Sequence, residues 1–529
     1  MNAKETIQSG KAILGIEFGS TRIKAVLIDA DNKPIAQGSH TWENQLVDGL
    51  WTYSTEAIWY GLQDCYADLR KNVLAQYDVE IESLAAIGIS AMMHGYLPFK
   101  GNDILVPFRT WRNTNTGKAA AALSELFNYN IPLRWSISHL YQAILDNEEH
   151  VSDIEFLTTL AGYIHWQLTG QKVIGVGDAS GMIPVDPTTK TYDAEMVKKF
   201  NELIEPKKLP WTLLDILPKS LVAGENAGFL TPEGAMRLDV SGHLKPGIPF
   251  CPPEGDAGTG MAATNAVKVR TGNVSAGTSS FSMIVLEKPL SKPYEVLDMV
   301  TTPDGSLVAM VHCNNCTSDI NAWVKVLKEY AELLGVEQNT GELYTRLFEI
   351  ASKGDPDCGG LVSFNYISGE PVTGCMDGRP LIVRSANDKL TLANFMRAHL
   401  YGAIAVLKFG NDILLKEEGV KVDRLTGHGG YFTTPKVGQS MLAAALDSPI
   451  TVMETAGEGG AWGIALLAAF VVNNSNGYSL PDWLDNVVFA GNSGSTIVPD
   501  AEDVEGFNKY LENYKACLPI EKSAVENKK

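Results

Sequence analysis

Apolar residues cluster early in the chain as Ile13-Leu14-Gly15-Ile16 and Ile23-Lys24-Ala25-Val26-Leu27-Ile28, divided by Glu17-Phe18-Gly19-Ser20-Thr21-Arg22. Two short apolar runs around a polar break containing glycine predict a strand, a tight turn and a second strand. The period then changes. Over residues 54–74, Trp59, Leu62, Cys65, Tyr66 and Leu69 fall on one helical face, with Ser54 or Thr55 as N-cap. Residues 84–90 (LAAIGIS) form a continuous apolar run, the pattern of a parallel strand buried on both faces. Helical patterning returns over 117–127 and 154–169. Alternation of this kind predicts an α/β fold.

The opening pattern recurs. Residues 272–286 again read as strand, Gly-hydroxyl turn (Gly277-Thr278-Ser279) and strand. Self-similarity at long period predicts two related halves. A Pro- and Gly-rich stretch at 246–260 separates them, giving domains 1–255 and 256–529. A third glycine cluster, Gly427-His428-Gly429-Gly430, lies between a strand-like segment at 424–426 and a predicted helix at 435–446. It fits either an ordinary strand-to-helix loop or a close backbone approach to a flat ligand such as adenine. A fourth cluster at 457–463 opens an Ala/Leu-rich helix, and helix packing is the favoured cause of its glycines. A polar tail carries a predicted helix at 502–514, and 523–529 read as frayed.

At 529 residues the chain exceeds one ordinary core, and 45% hydrophobic with 20% charged residues describes a globular protein. The longest apolar stretch, 463–472, is too short to span a bilayer. The first 11 residues are polar and show no signal-peptide core. Seven scattered cysteines, of which Cys313 and Cys316 form the closest pair with no second such pair beside it, argue against a disulfide framework or a structural zinc site and for the cytoplasm. A net charge of −19 argues against nucleic-acid and membrane partners, yet a few local donors and a metal still suffice for ATP.

Glu17 leaves a strand, where a carboxylate can hold Mg²⁺ directly or through water. The Gly19-Ser20-Thr21 turn offers backbone N–H and hydroxyl donors to oxyanions. The same stretch also fits a surface hairpin. Asp256 fits two roles, N-cap of a helix over 257–263 or general base. Two facing hairpins of this type would cradle a nucleotide between domains.

The opening hairpin, Gly255-Asp256, Ala276-Gly277-Thr278-Ser279, the 427–430 loop and the Ala-rich helix occur in the order found in FGGY-type carbohydrate kinases. Asp178-Ala179-Ser180-Gly181-Met182, Tyr366-Ile367-Ser368-Gly369-Glu370 and Pro499-Asp500-Ala501-Glu502 match as well, so the resemblance spans roughly 12–515. It implies two duplicated actin/hexokinase-like (ribonuclease H-like) ATPase domains with the active site in the cleft between them. It further implies Asp256 as catalytic base, with Glu254 the neighbouring rival. Glu17 and Asp256 would serve Mg²⁺. Gly19, Ser20, Thr21, Lys24, Gly277, Thr278 and Ser279 would contact ATP phosphates, and Gly429 and Gly430 the adenosine. Lys24 is also readable as a solvated strand-end charge. Dimers are common in the family, which makes a homodimer an expectation.

Two departures stand out. Glu17 replaces the family's usual aspartate, and Trp111-Arg112-Asn113-Thr114-Asn115-Thr116 stands where Trp-x-Asp-x-Arg is common. Met93-His94-Gly95 resembles the Met-His-Gly of D-xylulose kinases, with Met92 in place of the usual glutamine. The resemblance therefore implies a sugar site using Met93, His94, Gly95, Trp111, Arg112 and Asp256. The expected substrate is a ketopentose, D-xylulose or L-ribulose. Gluconate is the alternative, with Arg112 or Arg109 pairing its carboxylate. The competing class is a non-catalytic sugar or nucleotide sensor, motivated by the two departures.

Overall fold

The opening hairpin forms the centre of a five-stranded sheet. In the computed structural model, which describes residues 1–453, 455, 459–491 and 494–527, β1 (Ile13–Phe18) pairs antiparallel with β2 (Arg22–Ile28). β2 pairs antiparallel with β3 (Pro34–Thr41). On the other side β4 (Ala86–Ala91) runs parallel to β1, and β5 (Glu254–Gly255) runs parallel to β4. The order is β5-β4-β1-β2-β3. Every residue of β4 is buried, as its unbroken apolar run requires.

Helix α1 (Thr55–Tyr77) packs on β3, N-capped by Ser54, whose Oγ accepts from Ala57 N at 3.1 Å. It buries Leu62, Cys65, Tyr66 and Leu69 of the predicted face, while Trp59 is only half-buried and donates to Tyr163 Oη. Helix α2 (Gly117–Phe127) has the predicted bounds. Helix α3 (Ser136–Leu145) was not predicted: nearly all its residues are buried, so it has no polar face to reveal a period. The stretch at 154–169 is not one helix. Phe156–Thr158 pairs with the strand Leu97–Lys100, and α4 (Leu160–Thr169) begins only after Thr159 caps it. Two consecutive β-branched threonines mark the switch. Helix α5 (Asp256–Ala263) follows β5 directly.

The second sheet contains β6 (Thr271–Ala276), β7 (Ser280–Val285), β8 (Asp298–Thr301), β9 (Leu307–Cys313), β10 (Arg424–His428), β11 (Ile450–Val452) and β12 (Ser495–Ile497). Its order is β8-β9-β7-β6-β10-β11-β12. The β9-β7-β6 antiparallel set followed by parallel β10 and β11 repeats the β3-β2-β1 set followed by β4 and β5. The recurrence seen as a motif is thus a recurrence of topology, in a two-domain α/β fold.

Later helices include α6 (Leu392–Asp412), α7 (Val437–Leu446), α8 (Gly459–Asn473) and α9 (Ala501–Glu526). The apolar α8 packs on β1 and β4, and Trp462 Nε1 donates to Asn32 O at 2.9 Å. The later part of the chain therefore returns to close the first sheet, and residues from both sequence halves share one hydrophobic cluster. Helix α9 runs well past the predicted end at 514, and 523–526 are helical rather than frayed. Buried Glu521 accepts from Arg379 N at 2.9 Å, and the Arg379 guanidinium donates to Ala524 O at 3.1 Å, which fastens this end. All seven cysteines are free and six are buried. Among the described residues no helix is long and apolar enough to cross a membrane.

Candidate active site

A cleft of about 320 Å³ is lined from both sheets. β1 contributes Glu17 and its turn Ser20; α5 contributes Asp256, Gly260 and Ala263; β6, β7 and β9 contribute Asn273, Phe281 and His312. The first turn of α8 closes one wall with Gly459 and Gly460. Gly457 and Glu458 of that cluster lie outside the described residues.

Asp256 is the first residue of α5, and the N-cap is Gly255, so the N-cap reading of Asp256 is corrected. Its Oδ1 accepts from Met93 N at 3.3 Å. Withdrawal from bulk water pushes its carboxyl up to about 6, against the pull of the backbone N–H groups of Met93 and Ala257. Glu17 rises to about 7, first through the same withdrawal and then through the negative charge of Asp256. Lys24, opposite Glu17 in the hairpin register, acts in the other direction. The longer side chain of Glu17 has room because residue 460 is glycine: a Cβ there would collide with Glu17 Oε1.

Glu254, the neighbouring carboxylate, does not line the cleft. It is buried, and its oxygens accept from Gly177 N at 3.2 Å and Asp178 N at 2.9 Å. Burial pushes it up to about 8 and Asp178 up to about 7. Asp178 in turn accepts from Thr159 Oγ1 at 2.6 Å. This pair is internal scaffolding beside Asp256.

Both hydroxyl turns are pinned from behind. Trp42 Nε1 donates to Gly19 O at 2.7 Å, Tyr53 Oη to Ser20 O at 2.6 Å, and Trp42 N to Thr21 O at 3.2 Å. Across the cleft, Thr317 N and Oγ1 donate to Gly277 O at 3.0 and 2.7 Å, and Cys316 N to Thr278 O at 2.9 Å. In a trans peptide the next N–H points opposite the carbonyl. Pinning these carbonyls therefore turns the N–H groups of Ser20, Thr21, Thr278 and Ser279 the other way, and Ser20 and Ser279 line the cleft. Two sets of directed backbone donors result, suited to oxyanions.

His94 adopts φ 68° and Gly95 φ 92°. A left-handed histidine is strained, and here the strain turns its ring into the wall of the cleft. Nδ1 lies 2.9 Å from Gly181 O, so it carries the proton and Nε2 is the acceptor. Burial drops its pKa to about 3, which keeps the ring neutral. Met92, Met93 and Trp111 also line the cleft, and Trp111 Nε1 donates to Ser20 Oγ at 3.2 Å. Gly95 does not line it; it receives Ser136 Oγ on its carbonyl at 2.6 Å and packs against Phe108.

Three residues of the expected sugar region are occupied elsewhere. Arg112 lies 3.9 Å over the Trp51 ring, outside the cleft lining. Arg109 forks onto Glu148 and faces Tyr96. Asn113 bonds Trp51 N and O at 2.9 and 2.8 Å and Thr110 O at 3.0 Å, which fixes a short hairpin (Gln45–Val47 with Leu50–Thr52). The amide substitution thus serves the backbone.

In the third glycine cluster, the need at Gly427 and Gly429 is internal. A Cβ at Gly427 would strike the Phe432 ring, and Gly429, at φ 101°, sits against the Ala276 carbonyl. Gly430 faces open space. His428, Asn273, Arg134 and His312 line the cleft without having been singled out as site residues. Asn273 Nδ2 lies 3.3 Å from His428 Nε2, and Arg134 pairs with Asp298. His428 stood inside the glycine motif and was readable there; Arg134 and His312 carry no local pattern.

A comparison with curated proteins returns no match. The structure resembles a xylulose kinase from Lactobacillus acidophilus (TM-score 0.78, 17% identity, covering 98% of this chain and 99% of that one). It is similar to a xylulose kinase from Rhodospirillum rubrum (0.77, 17%, 98% and 100%) and a gluconate kinase from Lactobacillus acidophilus (0.77, 17%, 98% and 99%). Likeness at this identity establishes the fold. The family models for the N-terminal and C-terminal domains of the FGGY carbohydrate kinases match residues 12–261 and 272–472. With both matches in chain order, the chain belongs to the FGGY family of carbohydrate kinases.

Proposed function

We propose that the protein transfers the γ-phosphoryl group of ATP to a terminal hydroxyl of a ketopentose, D-xylulose or L-ribulose, with Asp256 as general base. The observation that carries this reading is the Asp256 carboxylate, recessed in the cleft and held through one oxygen by Met93 N. Its other oxygen then takes the proton of the sugar hydroxyl as that oxygen attacks the γ-phosphorus and the bond to ADP breaks. A carboxyl near 6 is ionised at neutral pH and still basic enough to share that proton.

The turns Gly19-Ser20-Thr21 and Gly277-Thr278-Ser279 hold the phosphate oxygens, Lys24 adds positive charge beside Glu17, and Gly429 and Gly430 border the adenosine. Glu17 and Asp256 fit a divalent cation because both are carboxylates and the negative charge of Asp256 disfavours ionisation of Glu17, a repulsion a cation would relieve. The cation, when bound, neutralises charge on the transferring phosphate. On the sugar, His94 Nε2 accepts a hydroxyl, Met93 and Trp111 supply apolar wall, and Gly95 acts by shaping the turn. Arg112 supports Trp51 from outside.

An aldonic acid is the second reading, now carried by Arg134 in the cleft wall rather than by Arg109 or Arg112. The paired Asp298 already neutralises that guanidinium, which favours a neutral sugar. The test is kcat/KM across D-xylulose, L-ribulose, glycerol and gluconate. A ketopentose should exceed gluconate by at least about tenfold. Gluconate as the preferred substrate would overturn the assignment.

A further inference from the structure

Glu370 ends the segment Tyr366-Ile367-Ser368-Gly369-Glu370, to which the proposed reaction gives no part, and it is completely buried. No cation pairs with it among the described residues. Its oxygens instead accept from Asn314 N at 3.1 Å, Asn315 N at 3.3 Å and Asn315 Nδ2 at 3.1 Å. An unpaired buried carboxylate is a poor stabilising device, so the purpose of this one lies in what it orders.

What it orders is the loop after β9. Asn315 returns the contact: its Oδ1 accepts from Ile367 N and Ser368 N, each at 3.0 Å, and its Nδ2 also donates to Ser368 O. Asn314 Nδ2 donates to Gly369 O at 2.8 Å, and Asn365 Nδ2 to Cys316 O at 2.9 Å. Residues 314–316 are thereby fixed to 365–370. The next donors along that loop, Cys316 N and the N–H and hydroxyl of Thr317, are the ones that pin the carbonyls of Thr278 and Gly277. The chain of bonds runs from a buried carboxylate, through two asparagines, to the peptide orientation of the second hydroxyl turn.

We infer that Glu370 is a positioning residue for the nucleotide: it sets the direction of the Thr278 and Ser279 N–H donors by anchoring the loop that holds their carbonyls. This rests on the reading of that turn as a phosphate site. The first turn needs no such carboxylate because Trp42 and Tyr53 fill the same place with rigid aromatic donors. The second turn faces a loop of small polar residues and takes its rigidity from a buried carboxyl group that accepts several N–H groups.

The test measures Kd for MgATP and for D-xylulose separately, by calorimetry on the full chain, for Glu370→Ala, Glu370→Gln and Thr317→Val. Glu370→Ala should weaken MgATP roughly tenfold while leaving D-xylulose within about twofold. Glu370→Gln, which keeps one acceptor oxygen, should recover part of the loss. Thr317→Val removes one of the three bonds at the other end of the chain, the hydroxyl to Gly277 O, and should weaken MgATP alone by a smaller factor, and it carries the test if Glu370→Ala does not fold. Unchanged MgATP affinity, or equal losses for both ligands, would overturn the inference. A wild type that binds MgATP but releases no ADP with sugar defeats the kinase reading, and the selective MgATP loss still supports the anchor. A wild type that binds no MgATP overturns both.

Discussion

Asp256 derives its proposed role from its neighbours: Met93 N fixes one oxygen, the cleft withholds water, and Glu17 sets a second negative charge nearby. Asp256→Asn keeps the shape and removes the proton acceptor. Turnover should fall about 10²- to 10⁴-fold with sugar affinity little changed, measured by initial rates and equilibrium sugar binding. Gly460→Ala tests Glu17. In the first turn of α8 alanine is at least as good a helix former as glycine, while its Cβ would meet Glu17 Oε1 and Thr259 Oγ1, ends of side chains rather than backbone. The melting temperature should hold and kcat should drop; unchanged kcat would remove Glu17 from the chemistry. Glu17, Asp256 and the two hydroxyl turns were legible because each sits at a strand end within a compact motif. Arg112 was misleading for the same reason: adjacency to Trp111 carries no information about which way a loop side chain turns. Arg134 and His312 come from separate elements, and only folding unites them.

At the scale of elements, the contact that brings Asp256 to the opening hairpin is the crossing of α5 and α8. Gly463 of α8 lies so close to the Thr259 carbonyl of α5 that a Cβ would overlap backbone. Backbone cannot swing aside as the Glu17 side chain can. Gly463→Ala should therefore cost about 1–3 kcal/mol in urea denaturation, in spite of better helix propensity. A stability equal to wild type would show that this crossing is loose. The sequence favoured helix packing as the cause of that cluster, and Gly463 agrees; Gly460 has a different cause, the Glu17 carboxylate. Short strands such as Phe156–Thr158 stayed hidden because three residues cannot display a period. Helix α3 stayed hidden because burial on all sides erases it.

For the whole molecule, the repeated strand order explains why two similar turns face one cleft, and α8 returning to the first sheet links the halves. The same burial makes stability sensitive to acid. His139 is held near 3 and His165 near 4 by burial, whereas in the unfolded chain each titrates near 6.5. Between those values the unfolded state binds more protons, so stability falls as pH drops, by up to about 1.4 kcal/mol per pH unit for each histidine. Asp178 and Glu254, raised to about 7 and 8, act in the opposite sense between their unfolded values and these. The clean comparison is therefore by difference: His139→Phe should lose less stability than wild type between pH 6 and pH 4 in thermal melts. Identical slopes would contradict a neutral buried His139.

The central claim is phosphoryl transfer to a ketopentose through Asp256, and coupled ADP release tests it most directly. With MgATP present, wild type should release ADP on addition of D-xylulose or L-ribulose, release little without sugar, and lose the sugar-dependent signal in Asp256→Asn. ADP release that is absent, that ignores the sugar, or that survives Asp256→Asn at near-normal rate would contradict it.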